Sequence, residues 1–157
     1  MKKLFAILVA AAAMIGCSGE REYLDVHGLS MGMPAKAFCD SLVARGYEVD
    51  TNLTDASVYV LIEPKGRALR YDILQHNDTI DEVLESYTAT YNDSTSQLWQ
   101  KMHDDFQDEF GMPGMLHRAD LHKEAIYNTG KGGLRLILLN TYSPTMTVRY
   151  TTSLDEK

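Results

Sequence analysis

The chain has little cysteine: two residues in 157, Cys17 and Cys39. Cys17 belongs to a leader, so Cys39 has no partner for an intrachain disulfide, and no thiolate cluster able to hold structural zinc exists. Cys39 falls on the apolar stripe of an expected helix and reads as a small buried hydrophobe. Basic residues are also short, with 15 Lys plus Arg against 22 Asp plus Glu and a formal charge of -7. That balance excludes nucleic acid as a partner, because phosphate binding needs clustered cations. It equally excludes electrostatic attachment to anionic lipid. Apart from Leu4 to Ile15, no long apolar run occurs, and that run of twelve is short of the ~20 residues needed to cross a hydrocarbon core. No Asp-x-Asp-x-Asp-Gly calcium loop is present, and no two histidines stand at i, i+4. His117 and His122, five apart, read as pointing to opposite faces of one strand, so neither a metal nor any other cofactor is expected.

What is there begins with the leader. Lys2 and Lys3 precede the apolar run, and Gly16 precedes Cys17. This is the layout of a bacterial lipoprotein signal, in which residues 1–16 are removed and Cys17 is lipidated. More than one acyl chain then gives durable membrane anchoring. Without Lys2 and Lys3 the formal charge of the remaining 141 residues is -9. Ser18 follows the cysteine where an Asp would signal inner-membrane retention, so the outer membrane is the expected location, facing either side. Residues 17–27 read as the lipidated cysteine and a tether, with the charged run Glu20-Arg21-Glu22. Residues 28–157 read as one domain.

Within that domain the apolar periodicity predicts two helices. In the first, from Pro34 to about Arg45, Ala35, Phe38, Cys39, Leu42 and Val43 share a face, and Gly46 is the stop. The second runs from about Thr95 to Phe110, with Leu98, Trp99, Met102 and Phe106 on its stripe and Gly111 and Pro113 at its end. Alternation predicts strands over 57–63, 68–75, 80–91, 124–128, 134–140 and 145–151, joined by tight turns and hence antiparallel. The expected class is therefore α+β, two helices packed on one face of an antiparallel sheet, as two tandem helix-plus-three-strand units.

Gly32-Met33, then Phe38 and Leu42, resembles the Gly-Met helix signature of small envelope lipoproteins of the SmpA/OmlA type. That group includes a lipoprotein subunit of the outer-membrane β-barrel assembly machine. Phe110-Gly111-Met112-Pro113 ends the second helix in the same style. The repeated helix-plus-sheet layout is similar to β-lactamase-inhibitor-like domains, and the whole resembles lipoproteins common in gut Bacteroidetes. The resemblance implies a non-catalytic scaffold that binds other proteins.

Three groups of residues compete for a functional role. Gly28-Leu29-Ser30-Met31-Gly32 spells the nucleophile-elbow pattern, which would make Ser30 the nucleophile of an envelope hydrolase. The elbow belongs at the centre of a large parallel sheet, which short meanders do not supply. Tyr87 and Tyr91 share a strand face and could stack on a glycan or a small ligand. Asp104, Asp105 and Asp108 crowd the C-terminal half of the second helix, where the macrodipole disfavours negative charge by ~0.3–1 kcal/mol each, so a basic partner would relieve them. The leading expectation is a lipid-anchored cell-envelope module that performs no catalysis. It binds another envelope protein through Tyr87, Tyr91, Asp104, Asp105 and Asp108. The alternatives are a hydrolase using Ser30 and a small-ligand or glycan binder.

Overall fold

The computed structural model describes residues 21–64, 69–89, 92–119, 122–138 and 144–153. Cys17, the leader and Tyr91 lie outside the described residues. Strand β1 (Asp25–Val26) and strand β2 (Leu29–Ser30) form a two-stranded ribbon. Helix α1 (Ala35–Ala44) is followed by β3 (Glu48–Val49), β4 (Val58–Ile62), β5 (Leu69–His76) and β6 (Thr79–Thr88). Helix α2 (Asn92–Phe110) is followed by β7 (Met115–Ala119), β8 (His122–Thr129), β9 (Gly132–Leu138) and β10 (Thr145–Thr151). The eight strands from β3 onward make one antiparallel sheet in the order β3-β4-β5-β6-β10-β9-β8-β7.

This corrects the expected class. The protein is mostly β, with ten strands and two helices among the described residues, and the expected helix-plus-three-strand units are not its architecture. Each helix is instead followed by a four-strand meander, and the two meanders meet through their last strands, β6 and β10, paired from Thr145↔Thr88 to Thr151↔Glu82. The strands missing from the expectation are β1, β2, β3 and β7, none longer than five residues.

Local chemistry explains the joints. Asn77 and Asp78, with φ of 51° and 60°, form the two-residue left-handed turn that suits the twist of the β5–β6 hairpin. The same turn caps α1 from 42 residues away. Ala35 N–H donates to the Asp78 carbonyl (2.9 Å) and Lys36 N–H to its carboxylate (2.8 Å). Pro34, at the N-cap, offers no side-chain acceptor, so Asp78 takes a role worth about 1 kcal/mol. At the other end Gly46 sits at φ 99° and Tyr47 N–H returns to the Leu42 carbonyl, a glycine-closed terminus.

One core cluster joins both units. Phe38 and Leu42 from α1 and Trp99 from α2 pack with Ile73, Val83, Leu136 and Val148 of the sheet. Val43, expected on the buried stripe, is exposed. Leu24 and Val26 are buried in the same cluster, so the folded body begins ahead of the Gly28 boundary, inside the segment read as tether. The hairpin turn at Gly132 passes so close to β10 that a Cβ there would lie 2.3 Å from the Thr151 carbonyl oxygen.

Candidate functional site

The strand register divides the sheet into two faces. Tyr71, Glu85, Val148, Leu136 and Ala125 lie in one row across five strands, and all are buried. Both helices send their buried side chains to this inner face. Tyr87 belongs to it, half-buried, and donates its hydroxyl to Glu85 Oε2 at 3.0 Å. Burial, then the Glu85 charge, pushes the Tyr87 phenol well above its ordinary pKa. Tyr87 is thus turned toward the body of the protein, with its hydroxyl engaged by Glu85.

Glu85 itself is the unusual residue of the inner face, a carboxylate with no solvent exposure. Tyr150 donates to its Oε2 at 3.4 Å, and His27 Nε2 lies 2.8 Å from Oε1. His27 stands in the turn of the β1–β2 ribbon at φ 50°, half exposed, with its carbonyl held by Arg45 at 2.9 Å. The bond to Glu85 raises the His27 pKa, against burial and the Arg45 charge.

The other candidates stay apart. Asp104, Asp105 and Asp108 are exposed on α2. Asp104 accepts from Gln100 at 2.8 Å and Asp105 pairs with Lys101. These are ordinary one-turn neighbours on a solvated helix, and they form no joint surface with Tyr87. Ser30 sits in the two-stranded ribbon, where its Oγ accepts from Gly32 N–H at 3.3 Å. No histidine bonds it among the described residues. The second glycine of the elbow pattern has a packing reason, since a Cβ on Gly32 would lie 2.5 Å from the Tyr23 ring.

His117 and His122 do meet, contrary to the expectation of opposite faces. They stand on two different strands, β7 and β8, and their rings are 5.2 Å apart and near perpendicular. His122 Nε2 lies 3.0 Å from Glu124 Oε2, and Arg135 binds the other oxygen. Burial works to raise the Glu124 carboxyl, but the bonds from Arg135 and His122 outweigh it and hold its pKa below the ordinary value. No group of three side chains able to hold a metal ion forms among the described residues.

These residues belong to the outer face of the sheet, which no helix covers among the described residues. One row across it reads Asp72, Leu84, Arg149, Arg135, Ile126, Met115. Among the described residues three arginines stand on this face, each with a carboxylate: Arg70 with Asp72 (2.7 Å), Arg149 with Glu82 (2.7 Å), and Arg135 with Glu124. Between them lie Leu84, Ile137 and Ile126, half-buried. Over β4, β5, β6 and β10 the face is hollowed into a depression of about 880 Å³, with Leu53 of the loop before β4 at its rim and Val60, Leu74 and Leu84 among its lining. That loop is held down by Thr54, whose Oγ1 accepts from Val60 N–H at 3.0 Å. The described tyrosines of the sheet, Tyr59, Tyr71, Tyr87, Tyr127 and Tyr150, all fall on the inner register. Among the described residues of the strands, the rings on this outer face are therefore the imidazoles of His117 and His122.

Sequence reasoning missed this surface because strand alternation marks two faces without saying which is covered. The signal that could have found it is the contrast between neighbouring registers, Val83-Glu85-Tyr87 beside Glu82-Leu84-Ser86. No family model, curated protein or solved structure matches the chain.

Proposed function

We propose that the chain is a lipid-anchored protein of the cell envelope that binds another protein through the outer face of its sheet and performs no covalent chemistry. The observation that carries the reading is the uncovered face itself, an aliphatic floor set with three carboxylate-steadied arginines. Arginine at the edge of a half-buried aliphatic patch is the composition of protein–protein contacts. Glycan recognition leans on the broad faces of tyrosine and tryptophan, and no described tyrosine or tryptophan of the sheet stands on this face. The leader supports the anchor, and the resemblance to SmpA/OmlA-type lipoproteins supports a scaffold role in the outer membrane.

The test places a photo-crosslinking side chain at Leu84 or Ile137 of the natively anchored protein, with Asp104 on α2 as comparison. A discrete protein adduct is expected from the two sheet positions, and a Ser86→Arg change between the strands should abolish it. An adduct from Asp104 alone, or one with polymer in place of protein, refutes the reading. Separately, incorporation of an alkyne-tagged palmitate is expected in the parent chain and lost in Cys17→Ala. Label retained in that variant would remove the anchor from Cys17.

A further inference from the structure

The sheet ends differently at its two margins. On one side stands β3, trimmed to two residues. On the other stands β7, five residues long and exposed at every position. No described element pairs with the outer side of β7. Such a margin offers alternate backbone N–H and C=O groups at the spacing of an extended chain. Natural margins of this kind are blunted by proline, bulges, charged side chains or a covering element. Among the described residues β7 contains no proline, and its register to β8 runs unbroken from Met115↔Ile126 to Ala119↔His122. No described strand pairs with its free side, so the single charge of Arg118 is its only guard. Three of the large exposed apolar side chains, Met112, Met115 and Leu116, gather at its start, the first 75% exposed.

Charge says what kind of chain would fit. Arg118 of β7 stands directly opposite Lys123 of β8, and like charges in that position repel. Both cations lie 5.7 Å from the centre of the Trp99 ring, and Lys123 donates to Ser96 Oγ. Neither has a carboxylate within ion-pair distance among the described residues, although every arginine of the outer face has one.

We infer that β7 is a strand-addition site for an extended, acidic segment of another protein. Backbone pairing along Met115–Ala119 supplies the attachment, and a carboxylate of the incoming strand settles at Arg118 and Lys123. A second copy of this chain fits poorly. Antiparallel pairing of β7 with itself about His117 sets Arg118 against Leu116, and Met115–Ala119 contains no acid to neutralise either cation. The contact is made by the backbone edge of β7 rather than by the side chains of the outer face, so the inference does not rest on the function proposed above.

The test uses the full-length lipidated chain in detergent micelles and two capped peptides, Thr-Val-Glu-Val-Asp-Val-Thr and Thr-Val-Lys-Val-Lys-Val-Thr. Amide hydrogen exchange is followed by residue. The acidic peptide is expected to slow exchange within 115–119 and to bind about tenfold tighter than the basic one. Arg118→Glu, which sets an acid opposite Lys123 and cancels the positive charge of the site, should abolish that preference. His117→Pro should remove protection by either peptide, with α2 and β9 exchanging as in the parent. No protection of 115–119 at about 1 mM acidic peptide overturns the inference. So does equal binding of both peptides, or a concentration-dependent dimer formed through β7 without peptide.

Discussion

Replacing His27 with alanine is expected to destabilise the protein most at mildly acidic pH and progressively less as pH rises. Removing one partner of a buried ion pair costs ~3–5 kcal/mol when the other charge is left without water. His27 is half exposed, so water reaches Glu85 through the vacated turn, and the expected cost is about 1–3 kcal/mol. The direction with pH follows from the raised His27 pKa. A histidine with a higher pKa folded than unfolded contributes its full stabilisation below the unfolded value. It loses that contribution as pH rises through the folded value. The other groups facing Glu85 do not share this titration. Burial pushes the phenols of Tyr71, Tyr87 and Tyr150 upward, away from neutrality.

His103 works in the opposite sense. Burial, then the Arg118 charge, lowers its pKa, so its contribution is present above the ordinary histidine range and is lost as pH falls. The parent's own pH profile mixes the two histidines, and the difference between parent and variant isolates His27. Urea unfolding of both at pH 5.5, 7 and 8.5 is the measurement. A difference that stays constant, or grows toward pH 8.5, would show that the pair does not hold the ribbon to the sheet. Glu85→Gln, which keeps an acceptor for Tyr87 and Tyr150, should abolish the same pH dependence without opening a cavity.

The turns explain which parts of this fold could be read in advance. Asn77-Asp78 and the glycines around 130–133 separate long alternating runs, so β5, β6, β9 and β10 are legible to within two or three residues. β7 is not legible, because Met115-Leu116-His117-Arg118-Ala119 is exposed on both sides and has no alternation to show. β3 is too short to have a period. The ribbon of β1 and β2 hides behind Glu20-Arg21-Glu22, whose charge suggests a tether although Leu24 and Val26 beyond it are buried. Missing these strands is what turned a mostly β protein into an expected α+β one.

The candidate site suffered from a related limit. Alternation correctly grouped Tyr87 with Val83 and Glu85, but the covered side is decided by where α1 and α2 land, which is a tertiary fact. Counting along one strand places His117 and His122 on opposite faces. The chain turns between them, so residues at an odd spacing share one face across the hairpin, His117 diagonal to His122. Nothing in the sequence marks Glu85 as buried, and its partner lies 58 residues away in a left-handed turn with no sequence signature for that contact.

Trp99→Ala should be the most damaging single truncation in the second unit, at about 3–5 kcal/mol. Trp99 has no solvent exposure and stacks on His103 with centroids 5.1 Å apart. His103 in turn holds Tyr127, whose hydroxyl donates to the His103 carbonyl at 3.0 Å and lies 2.6 Å from Nδ1. With that hydroxyl proton given to the carbonyl, the ring Nδ1–H donates to Tyr127, which suits a neutral imidazole. Phe106 and Phe110 pack on the other sides of the Tyr127 ring. Helix α2 needs this packing, because its C-terminal half carries Asp104, Asp105, Asp108 and Glu109 against the macrodipole, with no basic residue in its last turn. Trp99→Phe should cost less than half as much. The Trp99 Nε1 has no hydrogen-bond partner among the described residues, so phenylalanine forfeits packing volume alone. Urea unfolding followed by circular dichroism ranks the three chains, since the tryptophan that would report by fluorescence is the one removed. In the alanine variant water also reaches His103, whose NMR titration should move back toward the ordinary histidine range. An alanine variant as stable as the phenylalanine one would mean that α2 is held by Phe106 and Phe110 rather than by the indole.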